Sequence, residues 1–203
     1  MLQESSKVGP INPYGQTKLT VELFLKNVFN SSIGEWKIAS LRYFNPIGAH
    51  ETGFIGEDPK GTPCNIFPLI VNTAIGLQKE VKIYGNDWPT SDGTPIRDYI
   101  HVMDLAESHI KTLEYLMNKE SAFITINVGT GIGTSVLELI KIFENVNKIR
   151  VPYIFSSRRP GDSAYVVADN SFLIKEIKFE PIMSITKMCV DGWKWKKLNP
   201  NGY

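Results

Sequence analysis

The chain has 203 residues, 42% apolar and 21% charged, enough to build the core of one domain or a domain and a half. Its 22 Lys and Arg stand against 21 Asp and Glu, a formal charge of +1, so no global field draws nucleic acid or an anionic membrane, and an anionic ligand must be held by local arginines. Cys64 and Cys189 form no C-x-x-C pair and only three histidines are present, which argues against a zinc site or a disulfide framework and for free thiols.

In chain order, Pro13 can open a helix as a first-turn proline, and Leu19, Leu23, Phe24 and Phe29 carry an apolar stripe along Tyr14 to Phe29. Val21, Leu25 and Val28 widen that stripe beyond what one sheet face covers, so the helix is expected to meet a sheet on one side and a second subunit on the other. Lys37 to Phe44 reads as a largely buried strand ended by the turn residues Asn45 and Pro46. A long irregular stretch follows to about Gly61, of a kind that in a compact domain accompanies function or disorder.

Phe67 to Leu77 reads as a helix, Val81 to Tyr84 as a short strand and Asn86 to Gly93 as a polar turn region ahead of the segment Arg97 to Val102. Helical spacing returns at Leu105, Ile110, Leu113 and Leu116. Phe123 to Val128 is a strand, Gly129 to Thr134 a turn, and Ser135 the expected N-cap of a helix from Val136 to Asn145. Trp193 and Trp195 are read as packing residues. Alternation of strand and helix predicts an α/β fold with a mainly parallel sheet. No membrane-length apolar run and no basic-plus-apolar leader is seen, so the expected compartment is cytoplasmic and the sequon Asn30-Ser31-Ser32 a chance match.

Tyr14-Gly-Gln-Thr-Lys18 is the segment with the most chemistry in it. Residues four apart share a helix face, so an ammonium at Lys18 can lie beside whatever the Tyr14 phenol approaches. A phenol beside a fixed positive charge ionises more readily and can then act as a base. Gly129-Thr-Gly131-Ile-Gly133 follows a strand and precedes a helix as a dinucleotide turn does, yet position 134 is Thr where G-x-G-x-x-G needs Gly, and no acid ends a second strand about twenty residues on. Arg97, Arg158 and Arg159 are the anion candidates, since guanidinium offers planar multiple donors to phosphate oxygens. Pro160-Gly161-Asp162 predicts a tight turn holding Arg158 and Arg159 on one rim. His101, alone between apolar residues, is expected to be a satisfied core histidine.

The motifs Asn12-Pro13-Tyr14-Gly15, Leu41-Arg42-Tyr43-Phe44-Asn45-Pro46-Ile47-Gly48-Ala49-His50, Gly56-Glu57-Asp58-Pro59, Tyr84-Gly85-Asn86-Asp87 and Gly93-Thr94-Pro95-Ile96-Arg97-Asp98-Tyr99-Ile100-His101-Val102-Met103-Asp104-Leu105 stand in one order. In that order they resemble the UDP-glucose 4-epimerases, extended members of the short-chain dehydrogenase/reductase superfamily, from about Pro10 to Tyr203. The resemblance implies an incomplete Rossmann-like, doubly wound parallel sheet plus a smaller C-terminal α/β substrate domain. Residues 1–48 would belong to the NAD-binding domain, and residues 49–203 mainly to the UDP-sugar domain, with about 98–128 returning to the Rossmann sheet. The family's G-x-x-G-x-x-G turn and its catalytic Ser or Thr would precede Met1.

By the same resemblance Tyr14 is the catalytic base and Lys18 its partner, both also contacting NAD, with Phe44 a backbone contact at the nicotinamide end. Arg97 and Arg159 match pyrophosphate-contacting arginines and Asp162 a ribose-contacting acid. Asn45, Asn65 and Ile66 match substrate contacts, Lys82 and Tyr84 the uracil pocket, and Cys64 stands where many relatives have a second Asn. Val166 falls where relatives restricted to glucose and galactose carry a bulky Tyr, which implies room for an N-acetyl group unless Tyr165 fills the place. The implied activity is interconversion of UDP-glucose and UDP-galactose with bound NAD, in a homodimer, by a chain that is either a C-terminal fragment or a split-gene product with a separately encoded N-terminal half, and that alone is expected to be inactive. Two alternatives stay open: another NAD-dependent nucleotide-sugar dehydratase or decarboxylase, and a non-catalytic UDP-sugar-binding or oligomerisation remnant.

Overall fold

The computed structural model describes residues 1–31, 36–61 and 63–203; Ser32 of the sequon lies outside them. The first helix, α1 (Pro13–Ser31), begins as expected, with Pro13 in the first turn and the Asn12 side chain accepting the Gly15 N–H at 2.8 Å. It lies on strand β1 (Lys37–Tyr43), to which Glu22 ties it by accepting from Arg42 Nε at 3.0 Å, Arg42 Nη2 at 2.5 Å and Ser40 Oγ at 3.2 Å. None of its residues is buried. Leu19, Leu25, Val28 and Phe29 are half-covered, while Val21, Leu23 and Phe24 are 56%, 51% and 63% exposed.

The expectation that Asn45 and Pro46 end the strand is corrected. After Phe44 the chain stays extended as β2 (Asn45–Ile47), paired in parallel with β4 (Ile96–His101). Strand β2 is at the sheet edge, where a proline without an N–H costs no ladder bond. Strand β4 also pairs antiparallel with β6 (Gly133–Ser135) and parallel with β8 (Tyr165–Val166). Two further parallel pairs complete the sheets: β1 with β5 (Ala122–Val128), and β3 (Val81–Tyr84) with β7 (Tyr153–Ser156).

Helix α2 (Ile66–Ala74) is shorter than its apolar run, because Gly76 at φ +86° turns the chain and leaves Leu77 63% exposed. In α3 (Val102–Met117) the inward row is Asp104, Ser108, Thr112 and Leu116, whereas Ile110 and Leu113 are 50% and 59% exposed. The hydroxyls of Ser108 and Thr112 bond back to the carbonyls of Leu105 and Ser108, which lets a polar row face inward. Ser135 caps α4 (Val136–Asn147) as expected, in a reciprocal box with Glu138. Helices α5 (Ser171–Lys175) and α6 (Ile185–Leu198) were not anticipated as elements, though Trp193 and Trp195 of α6 are buried, as packing residues should be.

Among the described residues the buried apolar side chains form two clusters. One gathers α2, α4 and α6 around β3, with Phe143 edge-on to Phe67 and Trp193 at 6.1 and 5.8 Å. The other holds Leu105, Ile126, Val128, Leu173 and Ile177. Strand β4 is the wall between them: Tyr99 belongs to the first cluster and Ile100, one residue on, to the second.

Candidate functional site

Alternation along β4 sends Arg97, Tyr99 and His101 to one face. Register places Asn45 opposite Tyr99 and Val166 opposite Arg97, so these four residues form a small lattice on the same face. Over it opens a cavity of about 180 Å3 lined, among others, by eight of the expected sugar-nucleotide residues: Asn45, Asn65, Ile66, Lys82, Tyr84, Arg97, Arg159 and Asp162. Val166 is paired to Arg97 beside the cavity, and Tyr165, the neighbouring residue, turns to the opposite face, where its hydroxyl nears Gly133. Register therefore puts Val166, not Tyr165, on the cavity side.

The turn expected at Pro160-Gly161-Asp162 forms as read. Asp162 N donates to Arg159 O at 3.2 Å, Pro160 sits at the second position, and Gly161 supplies φ +79° at the third, as a type II turn demands. Only one of the two arginines reaches the cavity, which corrects the expectation of a shared rim. Arg159 stacks over the Tyr84 ring at 4.1 Å, whereas Arg158 stacks over Trp88 at 4.0 Å and pairs with Asp87 at 2.8 Å. Arg97 gives one guanidinium nitrogen to the carbonyls of Ile96 and Ser163, both at 2.8 Å, and another to the Asp162 carboxylate. Of the five N–H donors on a guanidinium this leaves two for an anion.

Tyr14 and Lys18 share one face of α1, with the Lys18 ammonium 5.1 Å from the Tyr14 ring centroid and Tyr14 71% exposed. Neither lines the cavity over β4. Phe44 links the two groups along the chain: its N–H donates to Val128 O at 3.1 Å, between β1 and Asn45. His101 is buried, accepts the Met103 N–H on Nδ1 at 3.0 Å and donates from Nε2 to Asp191 at 3.2 Å. Burial holds its imidazole below the ordinary value against the opposing pull of Asp191.

The Gly129–Gly133 turn is closed to phosphate by the protein itself. Its donors point at the buried Asp98 carboxylate, which accepts from Thr130 N at 2.8 Å, Thr130 Oγ1 at 2.7 Å and Gly131 N at 2.9 Å. The Thr130, Gly131 and Ile132 amides of this turn are thus taken up within the protein rather than offered to a dinucleotide pyrophosphate. Cys64 and Tyr99 also line the cavity, Tyr99 without having been assigned any part from sequence. The period-two pattern through Arg97 is the signal that could have found it.

The profile of the NAD dependent epimerase/dehydratase family matches residues 2–129. The chain belongs to that family. Among curated family members it is 48% identical over 202 residues to the UDP-glucose 4-epimerase of Bacillus subtilis, covering 100% of this chain and 59% of the relative. It is 47% identical over 193 residues to that of Drosophila melanogaster, covering 95% and 55%. Of solved family structures, the Stenotrophomonas maltophila UDP-glucose-4-epimerase with bound NAD and formylated UDP-arabinopyranose superposes with TM-score 0.94 at 44% identity, over 98% of this chain and 59% of that one. The Bifidobacterium longum enzyme in complex with NAD+ and UDP gives 0.94 at 43%, over 100% and 60%. The chain thus spans less than two thirds of the length of these epimerase relatives.

Proposed function

We propose that this chain carries the sugar-nucleotide site and the Tyr14–Lys18 pair of a UDP-glucose 4-epimerase, interconverting UDP-glucose and UDP-galactose. The observation that carries the reading is the convergence of Asn45, Asn65, Arg97, Arg159 and Asp162 on one cavity, in a chain so similar to epimerases crystallised with UDP and a UDP-sugar. Tyr84, capped by the Arg159 guanidinium, offers a flat wall for uracil. Arg97 and Arg159 hold the diphosphate, Asp162 a ribose hydroxyl, and the asparagines give donor and acceptor to the sugar.

Tyr14 takes the proton of the sugar 4-hydroxyl and later returns it, with Lys18 supplying positive charge beside the oxygen that bears the negative charge. Lys18 and the backbone at Phe44 would hold the nicotinamide end of NAD, which when bound accepts and gives back the C4 hydride. The 203 residues contain no G-x-x-G-x-x-G turn, so a segment that supplies one is required for NAD binding. The anchored diphosphate lets the sugar present either face to Tyr14. Residues 1–48 and part of 98–128 fall to the NAD-binding domain in this reading, and the remainder to the substrate domain. The exposed apolar face of α1 serves a homodimer, and the compartment is the cytoplasm. Val166, small and on the Arg97 side, leaves room for N-acetylated UDP-sugars.

The test uses the chain alone and the chain joined to the N-terminal part of the Bacillus subtilis relative. The chain alone should bind UDP but neither retain NAD nor epimerise UDP-galactose. The completed protein should do all three and also turn over UDP-N-acetylglucosamine. UDP binding with no turnover by the completed protein would favour a non-catalytic binding remnant, and a chain that binds no UDP in either form would overturn the reading.

A further inference from the structure

Tyr99 presents a polar atom that the protein itself does not use. The side chain is 2% exposed, it lines the cavity, and its hydroxyl has no hydrogen-bond partner among the described residues. For packing alone a Phe would serve: the ring already lies in the apolar cluster with Phe67, Val136 and Cys189. An unpaired phenol in such surroundings costs free energy that folding does not recover. Among its neighbours on the strand face, Asn45, directly opposite, and Arg97, two residues before it on β4, line the same cavity.

We propose that the Tyr99 hydroxyl donates a hydrogen bond to a diphosphate oxygen of the bound nucleotide-sugar, a positioning contact added to those of Arg97 and Arg159. The assignment rests on the sugar-nucleotide reading of the cavity. A donor is the chemistry called for beside Arg97, since the guanidinium directs an anion to this face and an anion offers only acceptors. Burial raises the phenol above its ordinary value, so at neutral pH it keeps its proton and remains a donor. With the ring fixed by the core, only the hydroxyl hydrogen has to be oriented, and the contact is made with little loss of freedom on binding.

Tyr99→Phe removes the oxygen and keeps the ring. Affinities for UDP and for uridine are measured by calorimetry on the 203-residue chain and on the chain completed with the N-terminal part of the Bacillus subtilis relative. The completed form keeps the measurement decisive if the shorter one precipitates. UDP affinity should fall about tenfold to a hundredfold, the range for a hydrogen bond to a charged group, while uridine affinity is unchanged. The midpoint of unfolding without ligand should be equal or higher, because an unpaired polar atom has gone. In the completed enzyme KM for UDP-galactose should rise more than kcat falls. Equal UDP affinity in the variant and the parent overturns this inference alone, and so does an equal loss for uridine, which would mark a deformed cavity. A parent protein that binds no UDP overturns the site reading together with it.

Discussion

Replacing Asp98 by Asn tests whether the Gly129–Gly133 turn is a structural joint rather than an anion site. Asp98 is fully buried, and its Oδ1 receives Thr130 N at 2.8 Å and Thr130 Oγ1 at 2.7 Å, while Oδ2 receives Gly131 N at 2.9 Å and Ala168 N at 3.1 Å. An Asn of the same shape keeps one acceptor oxygen; its NH2 faces either the Gly131 and Ala168 N–H donors or, in the better flip, the Thr130 N–H alone, since the Thr130 hydroxyl can rotate to accept. Hydrogen bonds to a charged group contribute about 1.5–3 kcal/mol each, and an unsatisfied buried donor costs about 1–3 kcal/mol. One buried N–H left unsatisfied and the loss of charge from the remaining bonds together predict destabilisation on the order of 3–5 kcal/mol, a large part of the roughly 5–15 kcal/mol of an ordinary domain. At a urea dependence of about 2 kcal/mol per molar, the midpoint falls by about 1.5–2.5 M. Because the same carboxylate fastens the β5 turn and Ala168 to β4, UDP affinity should fall with it. An unfolding free energy within about 0.5 kcal/mol of the parent would refute the reasoning.

Leu23→Lys, on the exposed face of α1, should convert the completed protein from dimer to monomer in sedimentation; Leu23 is 51% and Phe24 63% exposed, whereas Leu19 and Val28 are half-covered and less suitable. A Leu23→Lys, Phe24→Lys double variant that stays dimeric would place the interface elsewhere. Cys64 is exposed and lines the cavity, while burial pushes the Cys189 thiol up to about 12, so a thiol reagent should label Cys64 alone and UDP should slow it. Mass spectrometry of the labelled peptides checks this, and labelling indifferent to UDP would count against the cavity. His101 is held below its ordinary value by burial, facing Asp191, Asp104 and Lys187. The unfolded chain therefore binds its proton more readily, so this contribution is fully present above about pH 6.5 and lost as pH falls through the folded value. Thermal midpoints should drop between pH 7 and 5, less steeply in His101→Asn, which keeps an oxygen for the Met103 N–H; parallel slopes would assign the acid lability elsewhere.

What could be read from the sequence was what local chemistry decides. Pro13 in a first turn, Ser135 ahead of Val136, and Pro160-Gly161 each specify a start, a cap or a turn from within a few residues, and each formed as read. The misreadings share one cause, since they concern which way a residue faces. Asn45-Pro46 is turn chemistry by composition, but an edge strand accepts it. Ile110 and Leu113 have helical spacing, yet their helix turns Ser108 and Thr112 inward because the hydroxyls satisfy themselves on their own backbone. Arg158 and Arg159 are adjacent but stack on different rings, Trp88 and Tyr84, and only the second lines the cavity.

Tyr99 illustrates the same limit at the site itself. Between an ionic Arg97-Asp98 pair and the apolar Ile100, it reads as one more core aromatic, and its ring is one. Strand β4 has to build both clusters and the cavity at once, so its residues divide the labour by parity: Asp98 and Ile100 hold the sheet to β5 and the second cluster, while Arg97 and Tyr99 look toward the cavity. A change on the structural side of this strand cannot leave the other side untouched, because Asp98 lies covalently between the two residues that line the cavity. Loss of UDP affinity in Asp98→Asn and in Tyr99→Phe would therefore look alike, but only the first should come with a lower unfolding midpoint. That contrast separates a residue that holds the strand from one that meets the ligand.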